Sequence, residues 1–163
     1  MNWLLIPVFL LLFSMAYATL SGAPWVPTWK RDIARAKKLL DLQPGETFVE
    51  LGCGDGRVTC AVGQGTGVEL SLVQYLAAQA RRVLSRSKNV RFVFANAFNY
   101  KLHDVDALYM FLMPDTYEKI RPKLEAELKP GARVVTYVWP IPGWEPDRTD
   151  ELPGAPKLYL YKR

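Results

Sequence analysis

Val49-Glu50-Leu51-Gly52-Cys53-Gly54-Asp55-Gly56-Arg57 reads as an apolar strand that ends on an acid and runs straight into a loop with glycine at alternate positions. Gly52, Gly54 and Gly56 are places where a backbone can turn tightly, take positive φ and let a ligand approach without a Cβ in the way. The spacing excludes two phosphate loops. A dinucleotide fingerprint needs G-x-G-x-x-G, whereas here the third glycine comes one residue early and Arg57 stands where helix packing asks for a small residue. A P-loop requires Gly-Lys-Ser or Gly-Lys-Thr, and neither follows. What remains is E-x-G-x-G-x-G, a loop built to hold a different cofactor.

Working outward, the next apolar run, residues 66–70, carries Glu69 near its end, 19 residues beyond Glu50. That is the spacing of an acid at the tip of the second strand of a nucleotide-binding unit, where it accepts hydrogen bonds from both ribose hydroxyls. A third strand, 90–94, delivers Ala95-Asn96-Ala97. A helix over about 72–86 presents Leu72, Leu76, Ala80, Val83 and Leu84 as its core face. A strand at 105–112, a helix at 115–128 and a strand at 133–139 continue the alternation, which means a parallel sheet with helices on both faces. Ten residues separate Gly56 from Gly67, so the first crossover helix has room for only about two turns. Residues 140–156 are rich in proline and glycine, and 157–163 alternate as a final strand.

Upstream, the first 29 residues carry no charged side chain, so all 21 basic and 16 acidic residues, net +5, lie from Lys30 onward. Residues 3–20 form an uncharged run of 18, about 27 Å long as a helix, which matches the hydrocarbon thickness of a bilayer. Trp3 and Tyr17 stand towards its ends, with Trp25 and Trp29 following, in the manner of interfacial aromatics. The chain is therefore divided into an anchor at 1–22, a transmembrane helix, and a domain at 23–163. A cleaved signal peptide, with Ala16-Tyr17-Ala18 as the cleavage site, and an interfacial helix broken at Pro7 are the competing readings. Lys30, Arg31, Arg35, Lys37 and Lys38 against Asp32 follow the segment, so the positive-inside rule places the protein as a single-pass membrane protein with its catalytic domain cytoplasmic. This basic helix, with Thr28 as N-cap and Trp29, Ile33, Ala36 and Leu40 as its core face, is read as facing membrane lipid, and no nucleic acid is expected as a partner. His103 stands alone and Cys53 and Cys60 make no CxxC pair, so no metal is implied.

The E-x-G-x-G-x-G stretch resembles the first motif of class I S-adenosylmethionine-dependent methyltransferases. A narrower resemblance is carried by Pro24-Trp25-Val26-Pro27-Thr28, by Tyr109-Met110-Phe111-Leu112-Met113-Pro114, and by Ile120-Arg121-Pro122-Lys123-Leu124 with Leu128-Lys129-Pro130-Gly131-Ala132-Arg133-Val134-Val135. With the hydrophobic N-terminus, these resemble the membrane-associated lysine methyltransferases of the ATP synthase c-subunit and the adenine nucleotide translocase, and their prokaryotic relatives. The resemblance implies a Rossmann-like fold with an antiparallel C-terminal strand and S-adenosyl-L-methionine as cofactor. It also implies a protein substrate with an accessible lysine, an integral membrane protein among the possibilities. Glu50 would then sit near the cationic end of the cofactor, and loop amides of Gly52, Gly54, Asp55 and Gly56 would face its carboxylate, helped by the following helix terminus. Glu69 would take the ribose. Asn96 and Ala97, where the family often has Asp-Ala, would contact adenine, and Thr28 joins the cofactor-binding set. The methyl-transfer pocket would be lined by Tyr109, Phe111, Met113 and Pro114, with Tyr109 and Asp115 as weak catalytic candidates. Tyr109 and Phe111 can equally be core residues on one strand face, and Asp115 an N-cap. Departures from the family's pattern are the short first helix, Cys53, Ser71, Trp29 and Asn96. The activity could also fall on a lipid or lipophilic small molecule, or be absent, leaving a tethered binding module.

Overall fold

The computed structural model describes residues 26–163 together with Trp3, Leu5, Ile6 and Phe9. The anchor predicted at 1–22 otherwise lies outside the described residues, as does Trp25. Among the described residues no helix is long and apolar enough to cross a membrane.

Chain order is α1 (Lys30–Leu40), β1 (Phe48–Leu51), α2 (Arg57–Val62), β2 (Gln64–Glu69), α3 (Leu72–Leu84), β3 (Asn89–Phe94), a 3-10 turn (Ala97–Asn99), β4 (Ala107–Met110), α4 (Pro114–Glu127), β5 (Arg133–Tyr137), β6 (Arg148–Asp150) and β7 (Leu158–Lys162). The seven strands form one sheet in the order β3-β2-β1-β4-β5-β7-β6. Strands β1 to β5 pair in parallel, and β7 runs antiparallel to both β5 and β6. This is the Rossmann-like, mostly parallel sheet with an antiparallel C-terminal strand that the sequence predicts. Its winding reverses between β1 and β4, and in open α/β sheets ligands bind beyond the carboxyl ends of the strands at that switch point.

Every residue of β1 and β4 is buried, as befits central parallel strands covered on both faces. Alternation sorts them. Val49, Leu51, Leu108, Met110 and Val134 pack with Tyr117, Ile120 and Leu124 of α4 on one face. Phe48, Ala107, Tyr109, Val135 and Tyr137 pack with Ile33, Ala36, Leu39 and Leu40 of α1 on the other. Each fully buried side chain of this size stabilises by roughly 1.5–3 kcal/mol, which makes these two layers the main support of the strand ends.

Three local expectations are corrected. Trp29, predicted on the core face of α1, is 57% exposed and occupies the N-cap, with the Arg31 guanidinium 4.8 Å above its ring. Thr28 is not the cap, because its hydroxyl is drawn inward to the Tyr109 hydroxyl at 3.1 Å. On α3 the predicted core face is turned outward: Leu76, Val83 and Leu84 are 52%, 71% and 84% exposed, while Gln74 and Ala78 are buried. The cause is the glycine loop. Arg81 donates from Nε to the Asp55 carbonyl at 2.8 Å and from its guanidinium to the Asp55 carboxylate at 2.6 Å, which fixes the helix rotation. Ala78 then meets the loop beside Gly56, 3.0 Å from where a Cβ on that glycine would stand. Finally, β6 forms inside the proline- and glycine-rich stretch at 140–156, for which no strand was predicted, and α1 holds it. Arg35 donates to the Asp150 carboxylate at 2.6 Å, to the Asp150 carbonyl at 2.8 Å and to the Pro156 carbonyl at 2.8 Å.

Candidate functional site

At the carboxyl ends of β1 and β2 the sequence-predicted loop is closed on itself. The Gly52 and Cys53 N–H groups both donate to the Val68 carbonyl, at 2.9 and 3.0 Å, and the Gly56 N–H to the Cys53 carbonyl at 2.9 Å. Gly54 N–H donates to Glu69 Oε2 at 2.8 Å. Gly52, Gly54 and Gly56 all take positive φ, at 72, 53 and 71°. At Gly56 glycine is doubly required, since a Cβ there would also run into the Phe92 ring. The predicted cradle of loop amides is thus largely spent on bracing the loop.

Glu50 is 4% exposed, and its Oε2 accepts from the Thr59 N–H at 2.8 Å and from the Thr59 hydroxyl. It therefore occupies the amino end of α2 that the sequence reading reserved for the ligand's carboxylate. Burial pushes its carboxyl up to about 8, with the charges of Asp55 and Glu69 adding and the two Thr59 bonds opposing. Glu69 is 8% exposed. Besides the Gly54 bond, its Oε1 accepts from the N–H groups of Leu70 at 2.9 Å and Ser71 at 2.7 Å. Three acceptor positions of four are filled, so one remains for a ribose hydroxyl where the spacing predicted two.

The carboxylate of Asp55, a residue predicted to meet the cofactor through its loop N–H, is held by two cations. Arg57 meets both its carboxylate oxygens at 2.9 and 2.7 Å, and Arg81 adds 2.6 Å. Burial opposes its ionisation, and the two guanidinium groups outweigh that to hold the carboxyl below its ordinary value. The remaining acids are Glu69 and Glu50, and the proton that burial keeps on Glu50 can be given up when a cationic ligand arrives. Cys53 is 4% exposed, and burial pushes its thiol well up, so it offers packing and no thiolate.

Ser71 supplies the observation that sequence reasoning missed. It occupies the N-cap of α3 yet makes no capping bond, and its hydroxyl is buried without a partner in the protein beside Glu69. A buried hydroxyl left unpaired costs stability unless something else pairs with it. Asn96 uses Oδ1 to cap the 3-10 turn, accepting from Phe98 N–H at 2.9 Å. It and Ala97 are half-buried at the end of β3, where the sequence places an adenine contact.

On the far side of the switch point, Tyr109 is fully buried under α1, so it lines no open pocket and the core reading of it holds. The cause is register: Tyr109 stands opposite Glu50 on the α1 face of the sheet. Phe111 is half-buried, edge-on to Tyr137 at 4.8 Å. Met113, the N-cap of α4, is 43% exposed, and Pro114 opens the helix as its first residue, where its missing N–H costs nothing. Asp115 is exposed in the first turn, not the cap. Tyr117, also missed, braces this turn. Its buried hydroxyl accepts from Leu112 N–H and donates to the Met110 carbonyl, both at 3.1 Å. Trp139, 42% exposed, follows just past β5, where its carbonyl accepts from the Thr136 hydroxyl at 2.8 Å.

Comparison with known proteins gives this geometry a family. The model of the ANTKMT methyltransferase domain matches residues 50–148. A protein-lysine N-methyltransferase of Saccharolobus islandicus is 34% identical over 76% of this chain and 81% of its own. The adenine nucleotide translocase lysine N-methyltransferase of Mus musculus is 33% identical over 76% of this chain, which spans only 56% of it. Among solved structures, an RNA methyltransferase of Salinibacter ruber in complex with S-adenosyl-L-homocysteine superposes with a TM-score of 0.81 at 27% identity, over 84% of this chain and 93% of that one.

Proposed function

Because this chain belongs to the ANTKMT methyltransferase domain family and is an S-adenosylmethionine-dependent methyltransferase, we propose that it methylates a lysine side chain of a membrane-associated protein. The observation that carries the lysine reading is the likeness to the archaeal protein-lysine methyltransferase, which extends over most of both chains. The second half of the proposal is a tether. The uncharged run at 3–20 and the basic residues after it support an N-terminal anchor with the catalytic domain on the cytoplasmic side.

The residues present fit the cofactor. Glu69 with its free acceptor position and Ser71 with its unpaired hydroxyl would hold the ribose, Asn96 and Ala97 the adenine, and Glu50 the cationic end. When bound, S-adenosylmethionine supplies a methyl group on a sulfonium, which a neutral amine can displace in line. Positioning and exclusion of water are then the protein's main task. Phe111, Met113 and Trp139 at the ends of β4 and β5 offer an apolar, aromatic approach for a lysine chain. The ammonium can rest against a ring face and release its proton to solvent before transfer. No buried base is needed for that step.

The experiment is to incubate cell membranes with the full chain and methyl-labelled S-adenosylmethionine, then fractionate protein, lipid and nucleic acid. Label in protein that hydrolyses to methyl-lysine is the expected result. Label confined to the lipid extract, or to RNA, overturns the lysine assignment while leaving the methyltransferase intact.

A further inference from the structure

We propose that the outward face of α3 is a docking surface for an anionic lipid bilayer, distinct from the N-terminal tether and independent of which residue is methylated. Leu76, Ala77, Ala80, Val83 and Leu84 are all exposed and recur at the spacing of one helical face. Phe94, 51% exposed at the end of the edge strand β3, extends the apolar surface through its contact with Tyr75, ring centroids 5.7 Å apart. A globular domain does not ordinarily spend a helix's best apolar stripe on water.

The charge around the stripe says what covers it. From residue 70 to residue 103 there is no Asp or Glu, while Arg81, Arg82, Arg86, Lys88, Arg91 and Lys101 contribute six cations. The remainder of the chain has 15 basic against 16 acidic residues, so the protein's positive balance resides in this one segment. Arg81 is engaged with Asp55, whereas Arg86, Lys88, Arg91 and Lys101 are exposed. An apolar helix face flanked by cations and free of acids is the pattern that lies in an anionic headgroup layer, side chains in the acyl boundary and cations at the phosphates. A second copy is disfavoured by the same charges, because a two-fold contact would set identical cations against each other. Nucleic acid is disfavoured because the stripe on the helix itself, Leu76, Val83 and Leu84, is aliphatic, which leaves only Phe94 and Tyr75 at its edge as rings for a base to stack on.

The test is hydrogen exchange of the full chain on phosphatidylcholine vesicles with and without added phosphatidylglycerol. The expected result is slowed exchange across residues 76–88 on the anionic vesicles only. A Val83→Glu/Leu84→Glu variant and an Arg86→Glu/Lys88→Glu variant should each lose that protection and bind anionic vesicles more weakly by on the order of tenfold, with unchanged binding to neutral vesicles. All four side chains are exposed, and an unchanged thermal melt confirms that the variants fold. Unchanged exchange over 76–88 on anionic vesicles overturns the proposal, whether or not the chain is held there by its N-terminus. Failure of the tether shows separately, as loss of binding to neutral vesicles. Protection already present without lipid also overturns it, pointing to self-association if it grows with concentration and to the chain's own N-terminal segment if it does not. Protection by an RNA oligonucleotide in place of vesicles would reassign the face to nucleic acid.

Discussion

At the tip of β1, Glu50 accepts two hydrogen bonds, both from Thr59 of α2, while at the tip of β2 Glu69 accepts three, all from backbone N–H groups of the glycine loop and the start of α3. Both acids are buried and end adjacent parallel strands. Their partners divide the work. Glu69 joins the glycine loop to the start of α3, a connection that Arg81 and Asp55 reinforce further along the helix, so it acts as a clamp and only secondarily as a ligand group. Glu50 is under-supplied with donors for a carboxylate at such depth and holds a proton in compensation. One end of the site is rigid and satisfied, and the other is poised to change charge when a cation arrives.

The sharpest way to break this contrast is at the clamp. Glu69→Ala leaves the N–H groups of Gly54, Leu70 and Ser71 without their acceptor, and at about 1–3 kcal/mol for each buried one the loss of stability should reach about 3 kcal/mol or more. Cofactor affinity should fall with it by more than about tenfold, because the loop that frames the site loosens. Urea unfolding and calorimetric titration measure the two separately. A variant of native stability that merely binds less tightly would make Glu69 a ligand residue and not a clamp.

At Glu50 the effect is smaller and depends on pH. Its carboxyl stands at about 8 in the folded chain against 4.5 for a free glutamate, so the native state binds more protons than the unfolded state between those values. The stabilisation from this group is complete below about 4.5 and is lost as pH rises to about 8, on the order of 5 kcal/mol across the window. Glu50→Gln, which keeps an acceptor for Thr59, should melt with a flatter pH dependence over that range. Ligand binding reports the same proton. A cation at the site favours the carboxylate, so binding near pH 7 should release protons in the native protein and not in the variant, read by titration in buffers of different ionisation enthalpy. Equal proton release in both would move the cationic end of the ligand away from Glu50.

The central strands, the two-turn α2 and the strand-tip acids were legible because each rests on local signals: continuous apolar runs, glycine spacing, an acid at a strand's end. What was not legible depends on which neighbour claims a side chain. The periodicity of α3 is correct, but Arg81 reaching Asp55 and Ala78 nestling by Gly56 turn its apolar stripe outward. Tyr109 lay on a strand face that sequence alone could assign to core or to pocket, and the packing of α1 decides for core. Strand β6 depends on Arg35, more than a hundred residues away, supplying bonds its own three residues cannot. The loop amides of Gly52, Gly54 and Gly56 were read as ligand groups because a sequence shows donors and acceptors without showing which are already paired.

The finest test of the contrast is the residue joining the two ends of the argument. Ser71 gives its N–H to the clamp, yet its hydroxyl has no partner in the protein. In the free chain that hydroxyl is a small liability, so Ser71→Ala should leave thermal stability unchanged or slightly raised, unlike Glu69→Ala. With cofactor present the hydroxyl gains the partner it lacks, and the variant should lose about 0.5–1.5 kcal/mol of binding, roughly a two- to twelvefold weaker Kd. The combination is diagnostic. A structural serine would lower the melting temperature and leave Kd alone, whereas a hydroxyl held in reserve for ribose does the reverse, and calorimetry beside a thermal melt of the same preparation tells which.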